Sequence, residues 1–402
     1  MMSKLLGKNL SRHFEENGDR YLLLFVCCYQ VFQAFNQFLH YTHLRGMLWI
    51  VFSRGFLAVL ALLAGIVVLK RKPITALAFE GAFALLVVCT YFWGSPYPGY
   101  KSMAFDLLVV FIPMGLAFYC VRSDTLALDY LYISSWIIEI ICIVTSVLAL
   151  SSSYSVTLGG CLLLPILVKL DRFSVTRKWY DMLMVLLDLL ALVFGGGREP
   201  FVCIAVFLLI LLLSQDTISL KKRLSILALL LVLAALLYAV YPYFVAAAEP
   251  LLDRFQIRSR TLRKLLSGTI LSDSGRSILW RYFLEKIRQS PLLGYGITGA
   301  WELTIPGSEN AYPHCIVLEL AAAFGIPLGA LLTLALGAVV VRGLTQKNPE
   351  KRRLAVIFLS FLVHLLWSGS FLKTPLFFVG LASCLRSDQT GEGQDGASLP
   401  EK

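Results

Sequence analysis

Charge is scarce in this sequence: Asp, Glu, Lys and Arg make up 15% of its 402 residues, against about a quarter in ordinary soluble domains. Hydrophobic residues make up 58%. That balance excludes a water-soluble globular class. Polar stretches are missing too, apart from one near residues 242–313 and a short C-terminal tail. The nine cysteines fall almost entirely inside apolar runs, and no pair lies within the polar segment. Neither a disulfide framework nor a zinc site is expected from them. The first 20 residues carry seven charges and no apolar core followed by a small-residue cleavage site, so the first apolar run is expected to act as an uncleaved signal. No internal repeat of the kind many transporters carry is visible.

What is there is a succession of apolar runs of membrane-spanning length. They predict an all-α polytopic membrane protein with about twelve transmembrane helices, near 21–40, 47–69, 74–93, 104–120, 130–150, 155–168, 179–194, 200–213, 224–241, 314–341, 354–369 and 371–385. Residues 1–241 then hold spans one to nine, 242–313 one large external loop with amphipathic helices, 314–385 spans ten to twelve, and 386–402 a polar, disordered cytoplasmic tail. Connectors alternate in basic content. The N-terminal segment, Lys70–Lys72, Arg122, Lys169–Lys178, Lys221–Arg223, Arg342–Arg353 and the C-terminal tail carry most of the 36 Lys and Arg. The opposite short connectors hold only Arg45, Lys101, Arg198 and Lys373. Both termini are therefore expected in the cytoplasm and the long loop outside. The same asymmetry accounts for the net charge of +11 without invoking nucleic acid. Within spans, Arg54, Glu80, Glu139, Asp188, Glu319 and His364 have two readings, a substrate pathway or mutual pairing.

The external loop carries the chemistry. A basic cluster at Arg254, Arg258, Arg260, Arg263 and Lys264 is either a face against lipid headgroups or a substrate contact. Ser272-Asp273-Ser274-Gly275 offers an N-cap, Arg276 to Gln289 reads as an amphipathic helix, and Pro291 ends it. Ile278, Leu279, Tyr282, Phe283 and Ile287 share one face; Arg281, Glu285 and Arg288 share the other, at pairing distance. Arg276 projects beside Trp280 and Phe283 with nothing acidic at helical spacing, so it wants an anion from elsewhere. Gly294-Tyr-Gly296-Ile-Thr-Gly299 matches G-x-G-x-x-G but lacks the flanking strand and helix of a dinucleotide site. These glycines are expected to shape a turn instead. His314, after Pro313, is either a general base or a hydrogen-bonded interfacial histidine. Gly325 and Pro327 are expected to kink the following helix. Far upstream but on the same face, Gly195-Gly196-Gly197-Arg198-Glu199-Pro200 allows a tight turn and then a helix whose N-terminus points outward. That end suits a diphosphate.

Ser274-Gly275-Arg276, the run Ser290-Pro291-Leu292-Leu293-Gly294-Tyr295-Gly296, Tyr312-Pro313-His314 with Glu319 and Phe324-Gly325-Ile326, and Gly197-Arg198 together resemble the O-antigen ligase and polysaccharide polymerase superfamily of bacterial envelope glycosyltransferases. The sequence departs from the family's pattern at Gly196 and Gly197, where a polar residue commonly precedes the arginine, and at Cys315, where Asn often follows the histidine. The resemblance implies a GT-C-like helical fold in the bacterial inner membrane and a metal-independent, inverting transfer that needs no cofactor. The donor would be a glycan on undecaprenyl diphosphate and, for a ligase, the acceptor a lipid A-core hydroxyl, with the site on the periplasmic side. Carried over, Arg198 and Arg276 hold the diphosphate and His314 activates or positions the hydroxyl; Arg281, Arg288, Tyr312 and Trp280 are further substrate contacts. A polymerase using a second lipid-linked repeat is the alternative within the family. A transporter or flippase is the alternative outside it, and it leaves an Arg/His cluster on one face unexplained.

Overall fold

The structure is a computed structural model and describes residues 14–44, 46–71, 73–93, 100–148, 156–195, 199–214, 275–298 and 312–386, with isolated positions between them, Trp301 among these. Arg198, the expected ninth span at 224–241, the basic cluster at 254–263, the N-cap residues Ser272 to Ser274, Gly299 and the tail beyond Arg386 lie outside the described residues.

Among the described residues every regular element is helical. The helices are α1 (Gly18–Tyr41), α2 (Met47–Arg71), α3 (Ile74–Trp93), α4 (Tyr100–Asp106), α5 (Ile112–Tyr119), α6 (Asp124–Leu148), α7 (Val156–Thr176), α8 (Trp179–Gly195), α9 (Glu199–Ser214), α10 (Arg276–Gln289), α11 (Ile316–Leu344), α12 (Pro349–Leu362) and α13 (Leu376–Leu385). Four of them, α1, α2, α6 and α11, are long and apolar enough to cross a membrane. Leu48, Phe52, Val59, Leu62 and Leu69 of α2 face outward, an apolar surface far too continuous for water and suited to lipid. The chain is an all-α membrane protein.

Several expected spans are built differently. The run at 104–120 is divided between α4 and α5 by a wide π-turn at Leu107–Phe111. The sixth reaches well past 168, to Thr176. The run at 354–369 is α12 followed by a tight turn, Val363–Leu366. The last is a short turn at Phe371–Lys373 and then a ten-residue helix, about 15 Å long, half a hydrocarbon core. Periodicity cannot register such breaks, because the apolar pattern continues across them.

The basic connectors meet at one end of the bundle. Asp19 takes the Arg71 guanidinium at 2.6 Å and the backbone N–H groups of Arg122 and Ser123. Arg386 binds Asp124 at 2.7 Å and the Val121 carbonyl; Arg353 binds Asp171 at 2.6 Å and Arg172 binds Asp129 at 3.2 Å. One of the ionisable residues expected within spans, Glu139, meets an opposite charge. Lys169 lies 2.9 Å from Glu139, both fully buried, with its ammonium over the Trp136 ring. Asp188 is buried beside them, and Asp181 accepts the Tyr132 hydroxyl at 2.7 Å. Burying such a pair is tolerable only because each charge neutralises the other.

At the other end, α11 breaks at Gly325, whose φ of 74° and ψ of 174° belong to glycine almost alone. The break leaves backbone groups for the turn after α10 to bind. Tyr295 and Gly296 donate to the carbonyls of Ala322 and Ala323 at 2.9 and 2.8 Å, and Ile326 donates to Pro291 at 2.7 Å. Gly294 (φ 66°) lies so close that a Cβ there would sit 2.5 Å from the Gly325 nitrogen. The glycine-rich run is thus a clasp fastening α10 to the kink of α11.

Candidate functional site

Three separated stretches converge beside that clasp. α10 starts at Arg276 behind Gly275, whose left-handed backbone (φ 81°) occupies the N-cap position. Leu279, Phe283 and Ile287 anchor the buried side of α10, while Ile278, expected on that side, is exposed together with Arg281, Glu285 and Arg288. This orientation turns Arg276 inward. Its guanidinium reaches Glu199, the first residue of α9, at 2.8 Å. The missing acidic partner therefore comes from 77 residues away in sequence, where helical spacing could not reveal it. The second Glu199 oxygen is buried with no hydrogen-bond partner among the described residues.

One turn along α10, the Trp280 indole donates to the Pro313 carbonyl at 2.9 Å. That bond commits Trp280 to holding the histidine segment. His314 itself has φ of 52°, a left-handed backbone that costs a branched or ring-bearing residue of order 1 kcal/mol or more. Its ring lies 3.9 Å from that of Tyr312, and Tyr312 stacks on Trp301 at 4.3 Å. Nδ1 of His314 is buried without a partner among the described residues. Burial, and then the positive charge of Arg276, push the imidazole down to about 4, with Glu199 opposing them. Burial likewise raises the Tyr312 phenol. At neutral pH the pocket thus holds a neutral imidazole and a neutral phenol beside a guanidinium.

Glu319, on the first turn of α11, is fully buried. It accepts the Trp301 indole N–H at 3.3 Å, the Ser370 hydroxyl, and the Phe371 backbone N–H at 3.4 Å. Lys373 places its ammonium 3.7 Å over the Trp301 ring. Glu199, Trp301 and Lys373 are pocket residues that sequence reasoning missed. Glu199 alone had a local signal, an acidic group at the start of a helix pointing to the same face. Arg276, Tyr312 and His314 are brought together, whereas Arg281 and Arg288 stand exposed on the outside of α10. Among the described residues no three His, Cys, Asp or Glu side chains converge to hold a metal ion.

A helical membrane bundle that gathers an arginine, a neutral histidine and aromatic rings at one end has a site chemically suited to an anion. The family model described as O-antigen ligase matches residues 183–333, which include Arg198, Glu199, Arg276, Tyr312, His314 and Glu319. Over that segment, about a third of the chain, the sequence is similar to the O-antigen ligase and polymerase superfamily. No curated protein and no solved structure is found to match it.

Proposed function

We propose that this chain is an O-antigen ligase, transferring a glycan from undecaprenyl diphosphate to a lipid A-core hydroxyl at the periplasmic face of the bacterial inner membrane. The observation that carries the reading is the meeting of Arg276 and His314 at one end of the bundle. The Glu199 carboxylate, 2.8 Å from Arg276, stands where phosphate oxygens of a donor would pair with the guanidinium. Arg198, next to Glu199 in sequence, is the second cation of the proposal. With its charge neutralised the diphosphate is a competent leaving group. The acceptor oxygen attacks the anomeric carbon from the opposite side and its proton passes to the His314 imidazole. The C–O bond to the diphosphate breaks with its electron pair, and undecaprenyl diphosphate departs.

A base depressed to about 4 is weak in the free protein. Bound diphosphate opposes the Arg276 charge that helps depress it. Two unit charges about 7 Å apart at an effective dielectric constant of 20 interact by about 2 kcal/mol, or about 1.5 pKa units. Donor binding thus strengthens the base that the acceptor needs.

Two experiments test the assignment. Purified protein with lipid-linked donor should lose at least about 100-fold in transfer on Arg276→Ala or Arg198→Ala, the scale of removing one charge-stabilising group. His314→Ala should lose a comparable amount with donor binding retained. Deleting the gene and resolving lipopolysaccharide on gels should leave core with no attached repeat. Core bearing a single repeat would instead identify a polymerase, and flipping activity that survives Arg276→Ala and His314→Ala a transporter.

A further inference from the structure

His314 lacks what usually aims a working imidazole. In most sites the second ring nitrogen donates to a carboxylate or carbonyl that sets the ring's attitude; here Nδ1 is buried with no partner among the described residues. What touches the ring is aromatic. Tyr312 lies 3.9 Å away, tilted by 37°, and is backed by Trp301 at 4.3 Å, nearly parallel at 19°. The far face of Trp301 is covered by the Lys373 ammonium at 3.7 Å, and its indole nitrogen is tied to Glu319. With both faces covered and 3% of its surface exposed, Trp301 has no room to serve as a platform for a sugar.

We infer that Trp301, clamped between Lys373 and Tyr312 and tethered by Glu319, is a positioning residue that aims the His314 imidazole through Tyr312. The inference deepens the transfer reading and rests on it for the role of His314. The order of parts explains why each is there. Ser370 and the Phe371 N–H fix the Glu319 carboxylate; Glu319 fixes the rotation of the indole; the indole face fixes Tyr312; and Tyr312 fixes the imidazole. Lys373 closes the column from outside, attracted to the ring's negative face. Three of these partners, Ser370, Phe371 and Lys373, lie beyond the 183–333 segment that matches the family. The aim of the base is therefore set partly from the short turn between α12 and α13.

The column also keeps water from His314. Among the described residues, the charged and titratable groups facing the imidazole are Arg276 from α10, Glu199 from α9 and Tyr312 from its own segment, with Glu319 and Lys373 one ring further off. A stack that only fills space would leave the proton affinity of His314 unchanged when one ring is traded for another apolar group. A stack that orients and dries the imidazole would not.

The test uses purified full-length protein and two readouts, transfer kinetics and the pH dependence of diethylpyrocarbonate modification at His314, followed by mass spectrometry. Trp301→Leu should lower kcat about tenfold or more, as small misplacements of a reacting group do, with donor KM within about twofold. The His314 modification midpoint should climb from about 4 toward the ordinary value near 6.5. Trp301→Phe, which keeps an aromatic face but loses the fused five-membered ring and its N–H to Glu319, should recover part of both. If Trp301→Leu melts far below the wild type, Tyr312→Leu carries the same two expectations. A folded Trp301→Leu or Tyr312→Leu variant with wild-type kcat and an unmoved midpoint overturns the inference. Absence of transfer by the wild type, with the midpoint still dependent on Trp301, would sink the ligase reading alone.

Discussion

Replacing Gly325 by alanine should disable the protein from more than 20 residues away in sequence from either Arg276 or the α9 terminus. A Cβ at Gly325 would overlap the carbonyl carbon and oxygen of Leu292 and lie 2.8 Å from the Pro291 oxygen. These are backbone atoms, with no rotamer to move aside. The φ of 74° adds roughly 1–3 kcal/mol of backbone strain for any residue with a side chain. Relief requires the Pro291–Gly296 turn to withdraw by about 1 Å, loosening three clasp bonds worth about 1 kcal/mol each. A local cost of roughly 3–6 kcal/mol follows. Because the clasp seats α10, Arg276 should be misplaced by a comparable distance, which costs about 100-fold in rate. The assay is lipid-linked glycan transfer beside a thermal melt in detergent. The control is Gly337→Ala, lower on the same helix, where a Cβ meets nothing within 4 Å. That variant should be neutral or gain up to about 1 kcal/mol. Equal activity and equal melting for the two alanine variants would refute the clasp.

Other expectations follow from the pocket. His314 is held to about 4, so the acid limb of kcat/KM should fall near pH 4, and the limb of kcat, which reports the donor complex, should lie higher; a kcat/KM limb at 6.5 would contradict the burial of His314. The linkage has a definite sign: the folded state refuses a proton that the unfolded state accepts, so stability should decline as pH drops from about 6.5 to 4, as thermal melts across that window would register. Glu199→Gln removes a negative charge that competes with the donor for Arg276, and donor KM should fall about three- to tenfold in transfer kinetics; a rise in KM would mean that the carboxylate aims the guanidinium instead. Arg281→Ala, on the exposed face of α10, should change transfer by less than about threefold when measured beside Arg276→Ala.

How much of this was legible beforehand depends on the range of the interactions. The amphipathic helix starting at Arg276, the kink at Gly325 and the sorting of basic connectors to one end are local patterns, and periodicity or composition reports them. The clasp was half legible: the glycines of the 294–299 run demanded a turn, but nothing in the sequence said that its partner was the α11 kink. The anion on Arg276 was expected without its owner, because Glu199 reaches it through folding alone. Trp301 and Lys373 gave no signal at all, since a tryptophan in a loop and a lysine at a span end look ordinary until they are stacked. Among the described residues four helices are long and apolar enough to cross a membrane, beside the twelve spans expected, and part of that difference has a related reason. An apolar run that bends or unwinds, as at Leu107–Phe111 or Phe371–Lys373, reads the same as one that passes straight through.

The Lys169–Glu139 contact constrains how the polypeptide can be made. Neither α6 nor α7 is comfortable alone in hydrocarbon, since each would carry a bare charge worth a few kcal/mol against entry. Joined at 2.9 Å, they present no net charge to the lipid. The two segments are consequently suited to leave the translocation machinery as a hairpin, the second waiting on the first. A Glu139→Leu chain would then strand Lys169 during synthesis, and the damage would be seen as failed insertion before any finished enzyme existed to be assayed.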